Sequence, residues 1–162
     1  MPSTKKVQNT HISLQLRQLH AALLDIVAVM NKPQRDEMVI REAAIPLDRA
    51  LFPLLVLIER FGPIGVVDLA DRVGRDYTTV SRQVAKLERL DLVKCRAGVT
   101  DRRIRETVIA PKGKFMTDAV DAARDRLGRK IFSTWEAHDI GELVRLMRKF
   151  ADAVKDEPPV GT

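Results

Sequence analysis

The stretch Asp68-Leu69-Ala70-Asp71-Arg72-Val73-Gly74-Arg75-Asp76-Tyr77-Thr78-Thr79-Val80-Ser81-Arg82-Gln83-Val84-Ala85-Lys86-Leu87-Glu88 sets the architecture of this chain. A short helix, Val66 to Val73, turns Leu69, Ala70 and Val73 inward and closes on Gly74. Asp76 is placed to cap a second helix from Tyr77 to about Leu90. On a wheel at about 100° per residue, Val80, Val84 and Leu87 fall within about 60° and form a buried stripe. Thr78, Arg82, Ala85, Lys86 and Arg89 lie roughly opposite. Short hydroxyl or methyl groups near the helix start, with long cations further along, suit close approach to nucleic-acid bases. An ordinary amphipathic helix with solvated Arg and Lys has the same wheel, so context must separate the two readings.

The flanks supply that context. Leu92 to Arg96 and Ile104 to Ile109 read as two strands joined by Ala97-Gly98-Val99-Thr100-Asp101-Arg102. Arg102 and Arg103 beside this tight loop suit insertion into a narrow minor groove. The Asp101 carboxylate is expected to orient one guanidinium through a charge-assisted pair. A salt-bridged turn without a partner is the plainer alternative. Between Arg75 and Arg105 stand nine basic and four acidic residues, a surplus of five in a chain of net charge +6. Such a concentrated footprint is what attraction to phosphate requires.

Further out, apolar residues recur from Ile12 through Leu16, Leu19, Leu23, Ile26, Val27 and Met30, a helical stripe that Asn31-Lys32-Pro33 interrupts. Asp36 to Ala44 is a shorter helical segment. Asp48 is placed to cap a helix from Ala50 to Phe61, and Pro53 is expected to kink it one turn in. Gly62-Pro63 stops that helix. Pro111 starts a long helix to about Ile131, and another runs from Glu136 to Val154 with Ile140, Leu143, Val144, Met147, Phe150 and Val154 on one face. Met30, Met38, Met116 and Met147 fit helical stripes as core residues, and Trp135 reads as a packing anchor. The expected fold class is mainly α with a small two-stranded β-wing, a winged helix-turn-helix plus a helical dimerisation region. Its divisions are residues 1–10 (flexible), 11–46 (N-terminal dimerisation helices), 47–113 (winged helix-turn-helix), 114–155 (C-terminal dimerisation helices) and 156–162 (flexible tail).

Composition excludes several classes. With 162 residues, 45% hydrophobic, 31% charged and 4% aromatic, the chain fits a folded protein with a core of Leu, Val, Ile and Ala. The longest apolar run, Leu51 to Ile58, falls short of the roughly 20 residues of a membrane span. The start lacks a signal-peptide apolar block, and the single Cys95 permits no internal disulfide, so a cytoplasmic protein is expected. No Gly-rich phosphate loop, His-Glu-x-x-His pair or Gly-x-Ser-x-Gly elbow occurs, and three distant histidines offer no metal spacing. No catalytic residue, metal or cofactor is expected.

From about Leu47 to Gly113 the sequence resembles the MarR family of winged-helix transcriptional regulators. The resemblance rests on the Asp68–Glu88 stretch and on Asp101-Arg102-Arg103 followed ten residues later by Gly113. Where the family usually has Gly after the recognition helix this chain has Asp91, which the left-handed conformation tolerates at some cost. The usual Leu-Thr after the second strand is Ile109-Ala110, with Pro111 supplying a preset helix start. A usually apolar recognition-helix position holds Gln83. The resemblance implies a homodimeric DNA-binding regulator, most often a repressor, reading a palindromic double-stranded operator. The expected contacts are Arg75, Tyr77, Thr78, Thr79, Ser81, Arg82, Gln83 and Lys86, with Asp101, Arg102 and Arg103 from the wing. It also implies release by a small aromatic or phenolic effector, with the first helix near Arg17 and His20, and the Leu51–Arg60 helix, as candidate walls. Cys95 reads as a packing residue rather than a redox sensor. A helical interaction or adaptor dimer without operator binding is the alternative.

Overall fold

The computed structural model describes the backbone of residues 4–156 and the side chains of residues 9–156. Two units are distinguished, one up to Asp121 and one from Ala122 onward. The first contains α1 (Thr4–Met30), α2 (Pro33–Ala43), α3 (Phe52–Phe61), β1 (Ile64–Gly65), α4 (Val66–Val73), α5 (Tyr77–Arg89), β2 (Val93–Ala97) and β3 (Arg105–Ile109). Helix α6 (Pro111–Ile131) crosses the boundary, and α7 (Ala137–Lys155) belongs to the second unit. The fold is the expected one, mainly helical with a helix-turn-helix and a β-wing. One element was added: β1, a two-residue strand that pairs with β3 at Ile64↔Thr107 and makes the wing sheet three-stranded, in the order β1-β3-β2. Two residues carry too little alternation to announce a strand.

The core of the first unit forms where the periodicity of α5 placed it. Val80, Val84 and Leu87 are buried, together with Leu54, Leu55 and Ile58 of α3, Leu69 of α4, and Leu92 and Val93. Helix α4 ends at Gly74, whose φ of 68° is the left-handed value that glycine adopts freely. Asp91 follows α5 with φ 60°, the left-handed conformation expected for it.

Several local expectations need correction. Helix α1 starts at Thr4, well before the apolar stripe from Ile12; the Pro-rich end of the tail, residues 157–162, lies outside the described residues. Helix α3 starts at Phe52, so Pro53 sits in the first turn and no kink is required, because backbone N–H groups there have no intrahelical acceptor. Asp48 serves the preceding turn instead, where its Oδ1 accepts the Ala50 N–H at 2.9 Å. Of the four methionines only Met116 is buried; Met30, Met38 and Met147 are exposed. A helical stripe marks a face that seeks cover, and these three methionines are left exposed among the described residues. Trp135 is 46% exposed and stacks edge-on against Phe132 at 5.2 Å within the second unit.

Helix α1 is the extreme case. Ile12, Leu14, Leu16, Leu19, Leu24, Ile26, Val27, Val29 and Met30 are all exposed. Residues Asn9–Met30, with mean hydropathy 1.3, are long and apolar enough to cross a membrane by length and composition. This corrects the earlier reading that no stretch reached that length; Leu51–Ile58 is only the longest uninterrupted run. The stretch also carries Arg17, His20 and Asp25.

Candidate nucleic-acid interface

Helix α5 is built to present a fixed outward face. Its N-cap Asp76 accepts the Thr79 N–H at 2.9 Å through Oδ1 and the Thr79 hydroxyl at 2.6 Å through Oδ2. These bonds favour the ionised carboxylate and hold its pKa below the usual 3.8. The Thr79 hydroxyl, expected to face DNA, is thus engaged in the cap. Tyr77, Thr78, Arg82 and Lys86 are exposed, while Ser81 is half-buried. Arg82 makes no ion pair among the described residues. The Lys86 ammonium lies 3.6 Å from the Asp48 carboxylate.

Arg75 and Gln83 are arranged differently. Both are half-buried. Arg75 Nη1 donates to the Ala50 carbonyl at 2.6 Å and to Gln83 Oε1 at 3.0 Å. The polar side chain at a usually apolar position therefore has a partner within the chain.

The wing carries the second group of cations. Gly98 N–H donates to the Ile104 carbonyl at 2.7 Å and Ile104 N–H to the Asp101 carbonyl at 3.1 Å, closing the loop between β2 and β3. A Cβ on Gly98 would sit 2.5 Å from the Asp101 carbonyl oxygen, so this tight loop requires glycine. Asp101 Oδ1 accepts the Arg103 backbone N–H at 2.9 Å. It orients the Arg103 main chain, where a guanidinium pair was expected, and makes no ion pair among the described residues. Arg102 and Arg103 are exposed and likewise unpaired among those residues.

Recognition helix and wing border one groove of about 780 Å³, with Tyr77 and Ser81 on one wall and Arg103 and Arg105 on another. Cys95 also lines it, with its Sγ 3.8 Å from Thr107 Oγ1. Partial burial pushes the Cys95 thiol up from its usual value, which disfavours the reactive thiolate. Arg17 and His20 are exposed on α1 and do not line this groove. Among the described residues no group of three or more His, Cys, Asp or Glu side chains is placed to hold a metal ion. Composition missed the Ala50–Arg75–Gln83 connection; the one signal available was a polar residue on the apolar side of the α5 wheel.

Comparison with known proteins places this geometry. The family model HVO_A0114 matches residues 52–105, from α3 into the wing. The uncharacterized HTH-type transcriptional regulator YxaD of Bacillus subtilis (strain 168) is 30% identical over 106 residues, covering 64% of this chain and 74% of that protein. A MarR family protein from Bacillus stearothermophilus superposes with a TM-score of 0.70 at 20% identity, over 89% of this chain and 98% of that one. The transcriptional regulator BldR from Sulfolobus solfataricus gives 0.63 at 23% identity, over 86% and 96%. MarR of Staphylococcus aureus in complex with salicylate and kanamycin gives 0.59 at 14% identity, over 89% and 97%. The chain belongs to the HTH-type transcriptional regulators and has the winged helix-turn-helix fold of the MarR family structures.

Proposed function

We propose that the protein is a cytoplasmic repressor that binds a palindromic double-stranded operator as a homodimer. The observation that carries this reading is the exposure of Thr78, Arg82 and Lys86 on α5 and of Arg102 and Arg103 on the wing, with Tyr77 and Ser81 of α5 and Arg103 of the wing bordering one groove. Thr78, Ser81, Arg82 and Lys86 contact the major groove, while Arg102 and Arg103 enter the minor groove from the wing. Tyr77 lies at the edge of the α5 contact; Asp76 and Asp101 hold helix and wing in shape. Regulation of transcription is a binding function, and no catalytic step is assigned to any residue.

The exposed apolar residues of α1 and α7 support the dimer. Val144, Met147 and Val154 of α7 are exposed, as is almost every apolar residue of α1 from Ile12 on. Burying such faces against a second copy removes apolar area from water at about 25 cal/mol per Å². It also accounts for a hydropathy on α1 that reaches the membrane range while the helix carries Arg17 and Asp25. Residues 11–46 and 114–155 are then the dimerisation segments, and 47–113 the reading head. A small aromatic acid of the salicylate type is the proposed effector, with Arg17 and His20 as candidate contacts; the salicylate complex of the Staphylococcus aureus relative supports that chemistry.

Fluorescence anisotropy on DNA from upstream of the gene, against unrelated DNA over a salt series, tests the reading. Salt-sensitive binding that prefers its own DNA by about a thousandfold or more is expected. Weak binding, equal on both DNAs, from a dimer with α1 covered would favour a helical adaptor that keeps the fold without an operator.

A further inference from the structure

We propose that Arg75 and Gln83 are positioning residues that lock the recognition helix to the Asp48–Ala50 turn, rather than contacts to DNA. The inference rests on the DNA-binding reading above and reassigns two of its expected contacts. The turn at residues 48–50 is a junction. Its Ala50 carbonyl takes one hydrogen bond from Arg75 Nη1, and the same nitrogen reaches Gln83 Oε1 in the middle of α5. Asp48 Oδ2 lies 3.6 Å from Lys86, one turn further along the helix. On the other side, Arg49 Nη1 reaches Glu37 Oε1 of α2 at 2.7 Å. The turn itself is held rigid, because Asp48 accepts the Ala50 N–H at its side chain and the Leu51 and Phe52 N–H groups at its carbonyl.

One guanidinium thus ties a main-chain carbonyl 25 residues away to a side chain on α5. Both internal acceptors, at 2.6 and 3.0 Å, take Nη1, so this end of the half-buried guanidinium is anchored inside the chain and gives it a role that needs no phosphate. Gln83 is half-buried and its carbonyl oxygen is already taken, so it is poorly placed to read adenine through a bidentate pair. A cavity of about 360 Å³ bordered by Asn31, Asp36, Asp48, Arg49 and Arg75 lies against the junction. Packing alone therefore does not wedge Arg75 in place, and its hydrogen bonds must hold it. Loss of the tie leaves α5 free to rotate by small amounts, which degrades every base contact together rather than one of them.

The test pairs Arg75→Gln with Gln83→Leu; the second keeps the Arg75–Ala50 bond and so serves if the first fails to fold. On wild-type operator DNA each variant is expected to bind about tenfold more weakly. The double variant should bind no more weakly than either single one, because both cut the same tie. The slope of log K against log salt should stay unchanged. A slope reduced by about 0.9 in Arg75→Gln would identify a phosphate contact and overturn the proposal. So would a changed base preference in Gln83→Leu, or losses that add in the double variant. A second arm needs no DNA. The wild-type Arg75 guanidinium should show slowed rotation about Nε–Cζ by nitrogen NMR, faster in Gln83→Leu, where only the Ala50 bond remains. Fast averaging in the wild type overturns the proposal even if the operator reading holds. Slowed rotation in a wild type that binds no DNA counts against that reading and leaves the lock standing.

Discussion

The Leu92 carbonyl oxygen occupies the space that a Cβ on Gly113 would need, well inside the 3.0 Å that real Cβ contacts keep. The first turn of α6 is thereby pressed onto the backbone where α5 hands over to the wing, and the Ala110 N–H donates to that same carbonyl at 3.0 Å. Gly113→Ala is expected to destabilise the fold by about 3 kcal/mol or more, since the nearest obstructing group, the Leu92 carbonyl, is backbone and cannot turn aside as a side chain can. Urea unfolding of the variant measures it; a loss below about 1 kcal/mol would show that α6 can back away.

Asp91 tests the left-handed position after α5. At φ 60° a residue with an ordinary Cβ and no short polar side chain is strained, so Asp91→Ala should cost about 1 kcal/mol. Asp91→Gly should be tolerated, the relief of strain offsetting the greater freedom of glycine in the unfolded chain. Thermal unfolding of the two variants should rank them Gly above Ala.

The Asp76 cap predicts a pH dependence with a definite sign. Its folded pKa lies below the usual 3.8, because Thr79 bonds to the ionised carboxylate through side chain and backbone. A depressed acid stabilises fully above its unfolded pKa, and that contribution fades as pH falls through the lower folded value. Helix α5 should therefore be insensitive to Asp76 titration from pH 5 to 8 and lose its cap below about pH 4. Asp76→Ala should lower the thermal midpoint at pH 7 and flatten this acid limb; an unchanged acid limb would show the bond does not matter to folding.

Arg82→Ala should weaken operator binding by roughly tenfold to a hundredfold and relax the preference at one base pair. Arg103→Ala should act mainly at A·T-rich flanks, where a narrow minor groove attracts arginine. Anisotropy against operators altered one position at a time separates the two, and identical profiles for both variants would contradict the division of labour.

Cys95 should be a poor nucleophile. Burial leaves its thiol protonated at neutral pH, so alkylation by iodoacetamide should run slower than for a free thiol, with its pH midpoint above 9.0. Rapid modification at pH 7 would instead mean that the wing strand opens readily.

Composition and spacing made the reading head legible. The α5 stripe of Val80, Val84 and Leu87, the Asp76 cap, the Gly74 stop and the left-handed Asp91 all rest on interactions within about four residues along the chain. Local spacing encodes such interactions directly. Pro53 was misjudged by a smaller margin: its effect depends on whether the helix starts before or at it, and a turn capped by Asp48 delays that start to Phe52.

Other features depend on where distant segments meet. Ile64 pairs with Thr107, and Arg75 reaches back 25 residues to Ala50, neither of which leaves a periodic mark. Asp101 turned to a backbone N–H because a tight loop brought that donor within 2.9 Å before any guanidinium. The apolar stripes of α1 and α7 identified faces that seek burial, yet only the folded chain revealed that most of the α1 face, and Val144, Met147 and Val154 of α7, stay exposed among the described residues. Periodicity records which side of a helix avoids water; chain path and closure determine what, if anything, covers it.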